Sequence, residues 1–131
     1  MSTEELIKQA RSVLKPRKLS GDGTAGDVAS ALISDKGNIY LGVCIDVISG
    51  MGFCAEHSAI SAMVTAGETR ISKIVAVWGD ETILPPCGRC REFMAQIDTQ
   101  NLNKTEVILG ENKVVSLSEL LPHSFQEVWD E

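Results

Sequence analysis

The sequence contains no apolar run long enough to cross a membrane, and it opens with acidic rather than basic residues. No stretch approaches the roughly 20 apolar residues that a spanning helix needs. Glu4 and Glu5 stand where a secretory signal carries cations. Internal repeats and low-complexity tracts are also lacking. We therefore expect 131 residues with 44% hydrophobic content to form one domain, 1–131, in the cytoplasm and without a membrane partner.

Positive charge is scarce as well. The sequence has 12 lysines and arginines but 18 aspartates and glutamates, which gives a formal net charge of -6. Proteins that bind nucleic acids need a basic surface to attract phosphates. The one basic cluster here is the short segment 15–18. We therefore expect a small-molecule substrate and no nucleic-acid partner.

The spacing of apolar residues predicts alternating helices and strands. Ser2 and Glu5 form a capping pattern before an amphipathic helix that stops by Pro16. Strands are predicted at 28–33, 39–43, 74–78, 106–109 and 114–115, of which 74–78 is expected at the sheet centre. Helices are predicted at 55–66, 88–97 and, as a short final helix, 116–121, whereas 19–26 is expected to be a loop.

Three of the four cysteines stand at predicted helix starts. Cys54 precedes the helix at 55–66, and Cys87 and Cys90 open the helix at 88–97. A helix N-terminus carries a positive partial charge, which favours ionised thiols. Three protein ligands leave one position on zinc for water, which is typical of catalytic rather than structural zinc. The sequence thus predicts a zinc ion bound by these three cysteines.

Glu56 follows Cys54 by two residues and is expected beside the same metal. A carboxylate in that place can take a proton from water, pass it to a ring nitrogen and then protonate a departing amine. Cys-x-Glu followed by Pro-Cys-x-x-Cys is the ligand and proton-carrier order of zinc deaminases, in which the glutamate is not a ligand. We therefore predict hydrolytic deamination with Glu56 as the catalytic residue.

With these motifs the sequence resembles the cytidine deaminase family, and looks most like its small single-domain members, including those that act on blasticidin S. The resemblance rests on Cys-Ala-Glu at 54–56, Pro-Cys-Gly-Arg-Cys-Arg at 86–91, Val-Ala-Ser-Ala at 28–31 and Leu-Leu-Pro-x-x-Phe at 120–125. It implies a three-layer α/β/α sandwich with a mixed five-stranded sheet, a homotetramer, and deamination of cytidine, deoxycytidine or an analogue in pyrimidine salvage. It also implies that Ala55 contacts the substrate and that Phe125 reaches a neighbouring subunit's pocket.

Two departures from the family pattern concern the substrate. Where cytidine deaminases usually have Asn-x-Glu to hold the ribose hydroxyls, this chain has Cys44 and Asp46. We expect both at the substrate site, with altered sugar recognition. Gly26 stands where the ordinary enzymes place a phenylalanine that packs on the pyrimidine. This difference predicts a wider base pocket.

A third departure concerns the charge around the metal. After Cys-Ala-Glu the ordinary enzymes often have an arginine, which offsets thiolate charge by hydrogen bonding, and this chain has His57. A neutral histidine compensates less than an arginine does. We expect His57 to support the metal ligands and Arg91 to take over part of the missing charge.

Three other interpretations stay open at this stage. The same chemistry fits a deaminase of another small amino-heterocycle, such as blasticidin S. A non-enzymatic structural zinc module would use Cys44 as a fourth sulfur, although Glu56 argues against it. A redox protein would form a reversible disulfide between Cys87 and Cys90.

Overall fold

The computed structural model describes residues 1–129, which form a single sheet flanked by helices. The strands are β1 (Arg17–Lys18), β2 (Thr24–Ser34), β3 (Ile39–Asp46), β4 (Ile71–Trp78), β5 (Thr82–Leu84), β6 (Glu106–Gly110) and β7 (Lys113–Ser116). The helices are α1 (Thr3–Arg11), α2 (Ala55–Thr65), α3 (Gly88–Ile97), α4 (Asn101–Lys104) and α5 (Leu117–Leu120), and a 3-10 turn covers Glu127–Trp129.

The sheet is mixed and has β4 at its centre, as the apolar run at 74–78 predicted. β4 pairs with β2 on one side and with β6 on the other, β3 pairs with β2, and β7 pairs with β6. Only the β4–β6 pairing is parallel among the described residues. The expected count of five strands is wrong, because the sheet also contains β1 and β5. These two strands have two and three residues, too few to produce a periodic signal in the sequence.

Helices cover both faces of the sheet and confirm the three-layer α/β/α arrangement. On β2, Ala29 and Ala31 pack into the cluster that contains Leu6 and Ala10 of α1. Leu32 points to the opposite face, where it packs with residues of α2 and α3. This division follows from the alternation of side chains along a strand.

The ends of several elements differ from the sequence prediction. The hydroxyl of Ser2 accepts a hydrogen bond of 3.1 Å from the backbone N–H of Glu5, so the predicted cap of α1 is present. The helix nevertheless stops at Arg11, well before Pro16. The expected loop at 19–26 ends early, because β2 begins at Thr24 and pairs there with β1 and β3. None of the helices within residues 1–129 is long and apolar enough to span a bilayer.

Gly42 lets α2 lie directly against β3. A Cβ atom at Gly42 would overlap backbone atoms of Ala55 and Ala59, in the first two turns of the helix. The absence of a side chain at this position therefore sets the distance between helix and sheet. Because Cys54 immediately precedes α2, this contact also fixes the place of the first predicted metal ligand.

Candidate metal centre and substrate cleft

The sulfur atoms of the three predicted ligands meet in the folded chain. The Sγ atoms of Cys54 and Cys87 are 3.3 Å apart, and those of Cys87 and Cys90 are 3.6 Å apart. All three lie within 4.8 Å of one another. Sulfurs that share one zinc ion at the usual Zn–S distance of about 2.3 Å lie roughly 3.8 Å apart in a tetrahedron. The donor set and its spacing therefore fit zinc.

Two helix starts hold these sulfurs. Cys54 and Cys87 occupy the N-cap positions of α2 and α3 in extended backbone conformations, and neither side chain caps its own helix. Their sulfurs are thus left available for a metal. Cys90 belongs to the first turn of α3 and is fully buried. The positive ends of two helices therefore face the group of thiols.

Burial and mutual contact shift the pKa values of the three thiols in different directions. Burial, followed by the hydrogen bond with Cys87, raises the pKa of Cys54. Burial also raises the pKa of Cys90, with a further contribution from the charge of Glu56. Burial tends to raise the pKa of Cys87 too. Hydrogen bonds from the backbone N–H of Cys90 and from the neighbouring thiols outweigh this effect, so the pKa of Cys87 is lowered overall. Three thiolates this close together require a cation to be stable, since each anion raises the pKa of the next.

Glu56 lies in the first turn of α2, and its side chain is 5% exposed. Burial raises the pKa of its carboxyl group. It lines a small cavity of about 150 Å³ together with Cys54 and Cys87, at which Ala55 is also buried. The structure thus brings the predicted proton carrier and two of the predicted metal ligands to one cavity, although they come from the starts of two helices.

A larger open cleft continues from this cavity toward solvent. Its volume is about 460 Å³. It shares Val28, Cys44 and Cys54 with the small cavity. Its lining also includes two charged side chains that the sequence analysis did not single out, Asp27 and Arg89. Only Arg89 had a local signal, because it stands between Cys87 and Cys90 in the metal-binding motif.

Cys44 and Asp46 both line the cleft, as expected of substrate-site residues. The sulfur of Cys44 accepts a hydrogen bond of 3.3 Å from the backbone N–H of Val28. Cys44 lies outside the group of converging sulfurs among the described residues. Asp46 is exposed at the end of β3. Cys44 therefore supports the wall of the cleft, and Asp46 offers a carboxylate at its rim.

Gly26 does not line the cleft. It has a φ of 82°, in the left-handed region that favours glycine. A Cβ atom there would overlap the backbone carbonyl of Lys15. The backbone conformation thus explains this glycine, and the expectation that it widens the base pocket is wrong for this structure.

His57 and Arg91 lie close to the metal ligands, but within residues 1–129 neither side chain forms a hydrogen bond with a ligand sulfur. The ring of His57 stacks on Phe93 with 4.2 Å between centroids and an angle of 9°, and it lies 5.3 Å from the ring of Phe53. Burial and the charge of Arg89 lower the pKa of His57. The imidazole therefore joins α2 to α3 as a largely apolar ring, and its buried Nδ1 has no partner within residues 1–129.

Arg91 directs its donors at backbone carbonyls. Its Nε donates to the oxygen of Pro86 at 2.8 Å, and its Nη1 donates to the oxygen of Leu120 at 3.3 Å. These two donors do not point at the sulfurs, and compensation of thiolate charge by Arg91 stays a prediction. Its side chain instead fixes the segment that leads into Cys87.

Phe125 is 65% exposed and is not among the residues that line the cleft of this chain. Its backbone N–H donates to the carboxylate of Glu92 at 2.8 Å. Its ring contacts Trp129 edge to face, with 5.1 Å between centroids. Phe125 therefore lies on the outer side of α3, where it is open to contact with another chain.

Comparison with known proteins gives a consistent result. The family model described as the cytidine and deoxycytidylate deaminase zinc-binding region matches residues 2–111. A cytidine deaminase of Halalkalibacterium halodurans is 32% identical over 103 residues, which are 75% of this chain and 76% of that protein. A cytidine deaminase of Aliivibrio fischeri is 40% identical over 92 residues, which are 68% of this chain but 28% of that longer protein.

A solved structure shows the same fold. The crystal structure of cytidine deaminase from Burkholderia pseudomallei superposes with a TM-score of 0.76 at 26% sequence identity. The superposition covers 95% of this chain and 100% of that one.

Proposed function

The chain belongs to the cytidine and deoxycytidylate deaminase family, and we propose that it removes the exocyclic amine of a cytosine nucleoside by hydrolysis. Family membership confirms the predicted class, a zinc-dependent deaminase. The proposed substrates are cytidine, deoxycytidine or an analogue, and the products are the uracil compound and ammonia. One observation carries the proposal: three cysteine sulfurs converge, and two of these cysteines, Cys54 and Cys87, line a cavity together with the buried Glu56.

In this proposal Cys54, Cys87 and Cys90 hold the zinc ion. Zinc in such a site supplies the Lewis acidity that makes water nucleophilic near neutral pH. The protein contributes the two helix N-termini, whose positive ends stabilise the sulfur ligands in their ionised form. The lowered pKa of Cys87 makes its thiol the easiest of the three to ionise.

Glu56 moves the protons. Its carboxylate takes a proton from the water that adds to the amine-bearing ring carbon, and delivers that proton to the adjacent ring nitrogen. A second transfer protonates the amine, which leaves as ammonia while the carbon becomes a carbonyl. Burial raises the pKa of Glu56, which is the direction that a carboxyl group needs in order to donate as well as accept a proton.

The two connected spaces suggest how a nucleoside lies in the site. The cavity of about 150 Å³ beside Ala55 and Glu56 would take the base. The open cleft of about 460 Å³ would take the sugar, with Cys44 on its wall and Asp46 at its rim. This division places the amine toward the metal ligands and the sugar toward solvent.

A second candidate function is deamination of a different amino-heterocycle, such as blasticidin S. It is favoured by the sugar end of the cleft, where the sulfur of Cys44 accepts a hydrogen bond from the backbone N–H of Val28. Of the two positions expected to hold the ribose hydroxyls, only Asp46 offers a polar side chain to the cleft. The structural zinc module has less support, because Cys44 does not join the other sulfurs among the described residues. The redox alternative would require Cys87 and Cys90 to be oxidised together and to bind no metal.

Glu56→Gln tests the function directly. We expect this variant to keep its zinc and to release ammonia about 10²–10⁴-fold more slowly, because only the proton transfer is lost. Ammonia release would be measured with cytidine, deoxycytidine, blasticidin S and amino-purines, and zinc by metal analysis. Exposed Glu111, changed to Gln, is the matched control.

Three outcomes of this experiment would correct the proposal in different ways. Loss of zinc in the Glu56→Gln variant would make Glu56 a ligand. Wild-type activity on a purine alone would keep the mechanism and refute the substrate. A reversible Cys87–Cys90 disulfide without stoichiometric zinc would refute the proposed deaminase function.

We also propose that residues 1–131 act as one domain within a cytoplasmic homotetramer that serves pyrimidine salvage. The exposed rings of Phe125 and Trp129 support contact with a second copy, since apolar rings in solution favour burial. Light scattering of the purified protein tests the assembly. A monomer would refute the tetramer and the role of Phe125 in a neighbouring pocket.

A further inference from the structure

Two carboxylates line the outer cleft without an ion-pair partner. Asp46 is the last residue of β3, and Asp27 lies in the irregular part of β2, where the register with β3 shifts. Both line the same space. Within residues 1–129 no ion pair involves either of them. Their negative charges are therefore available to a ligand in the cleft.

Arg89 is the one cationic side chain among the residues that line this cleft. Its Nη1 donates to the backbone oxygen of Gly52 at 3.5 Å, a long hydrogen bond that leaves its other donors available. The two carboxylates outnumber this single guanidinium, so the rim is net negative. Farther in, the cleft meets the cavity that holds Glu56 and the cysteines, which adds no positive side chain.

Given the proposed deaminase function, we propose that the outer cleft selects the sugar-side group of the substrate by its charge. Asp27 and Asp46 favour a cationic substituent, such as an ammonium or guanidinium group, over a neutral hydroxyl. They disfavour a phosphate, whose charge is opposed by both carboxylates. Arg89 reduces this selectivity and orients oxygen atoms of the ligand.

The size of the effect follows from the exposure of the rim. Charges at a solvated surface interact through a high effective dielectric constant, so each carboxylate contributes a modest amount. We expect a change of about 3–10-fold in affinity for each carboxylate and each unit of ligand charge. Because the cleft is open, added salt should reduce the preference.

Three ligands that share the cytosine ring test the inference: 5′-amino-5′-deoxycytidine, cytidine and cytidine 5′-monophosphate. At low ionic strength we expect kcat/KM to fall in that order, mainly through KM, since the reacting ring is the same. Asp27→Asn should weaken the preference for the amino compound about 3–10-fold, and Arg89→Gln should strengthen it. Asp80→Asn, an exposed carboxylate that does not line the cleft, is the control.

Calorimetric binding of the same ligands to zinc-loaded Glu56→Gln protein provides a readout that does not depend on turnover. The same order of affinities supports the inference, even if none of the ligands is deaminated. In that case only the proposal of a cytosine substrate is refuted. Deamination with equal or tighter binding of the phosphate overturns the inference and leaves the function intact. An Asp27→Asn variant that behaves like Asp80→Asn, or no binding of any ligand, also overturns it.

Discussion

The Sγ atoms of Cys54 and Cys87 lie 3.3 Å apart although the two residues are 33 positions apart in the chain. Sheet topology explains this proximity. β3 and β4 both run antiparallel to β2, so their C-terminal ends lie at the same edge of the sheet. α2 begins after the end of β3, and α3 begins after the short strand that pairs with the end of β4. Two helix starts therefore reach one point from different parts of the sequence.

Serine substitutions should distinguish the metal ligands from the remaining cysteine. Cys54→Ser removes one of three converging sulfurs, so we expect zinc affinity to fall by about 100-fold or more, beyond the loss typical of changes around a ligand. Cys44→Ser is the matched control, because Cys44 lies outside the group. Chelator competition and metal analysis measure both. Equal loss of zinc in the two variants would show that Cys44 is also a zinc ligand.

Gly42→Ala should push α2 away from the sheet. The added methyl group would overlap backbone atoms of Ala55 and Ala59, and overpacking of this kind costs about 1–3 kcal/mol. We expect a loss of that size in the free energy of unfolding, measured by urea titration, and weaker zinc binding. Gly21→Ala, where a Cβ atom meets open space, is the control. Unchanged stability and zinc binding would show that the contact is not needed.

Glu68 should make the stability of the fold sensitive to acid. Hydrogen bonds from Tyr40, followed by those from Ser34 and Asn38, lower the pKa of its carboxyl group. A group with a lowered pKa in the folded state stabilises the protein above its unfolded-state pKa, about 4.3 for glutamate, and this contribution is lost as pH falls through the folded-state pKa.

The Glu68→Gln variant should therefore lose stability relative to the wild type at pH 7 and approach it at acidic pH. Thermal unfolding between about pH 7 and pH 3 measures this difference. The same change at exposed Glu111 serves as the control. A stability difference that stays constant over the whole range would contradict the assignment.

Much of the candidate site could be predicted because its signals are local. The cysteines stand at the starts of two helices whose residues have helical spacing, and the structure has those helices at Ala55–Thr65 and Gly88–Ile97. Glu56 had to lie near Cys54, since only one residue separates them. The convergence with Cys87 depended on topology, and there the resemblance to a known family supplied what spacing alone does not.

The parts that were missed depend on long-range contacts. Asp27 reaches the cleft because β2 shifts register there, and nothing near it in the sequence indicates this. The hydrogen bond of Arg91 to Leu120 joins segments that only tertiary structure brings together. Gly26 was expected to widen the base pocket, whereas its positive φ reflects a constraint on the backbone. Each of these errors concerns geometry rather than residue type.

The three ligand cysteines differ in burial, so reagents in solution do not reach them equally. Cys90 is buried, Cys54 is partly buried, and Cys87 is exposed. An alkylating agent, an oxidant or a competing chelator therefore meets Cys87 first, and this is also the thiol that ionises most readily. Inactivation by such reagents should begin at one sulfur, with Cys90 modified only after the helix start has opened.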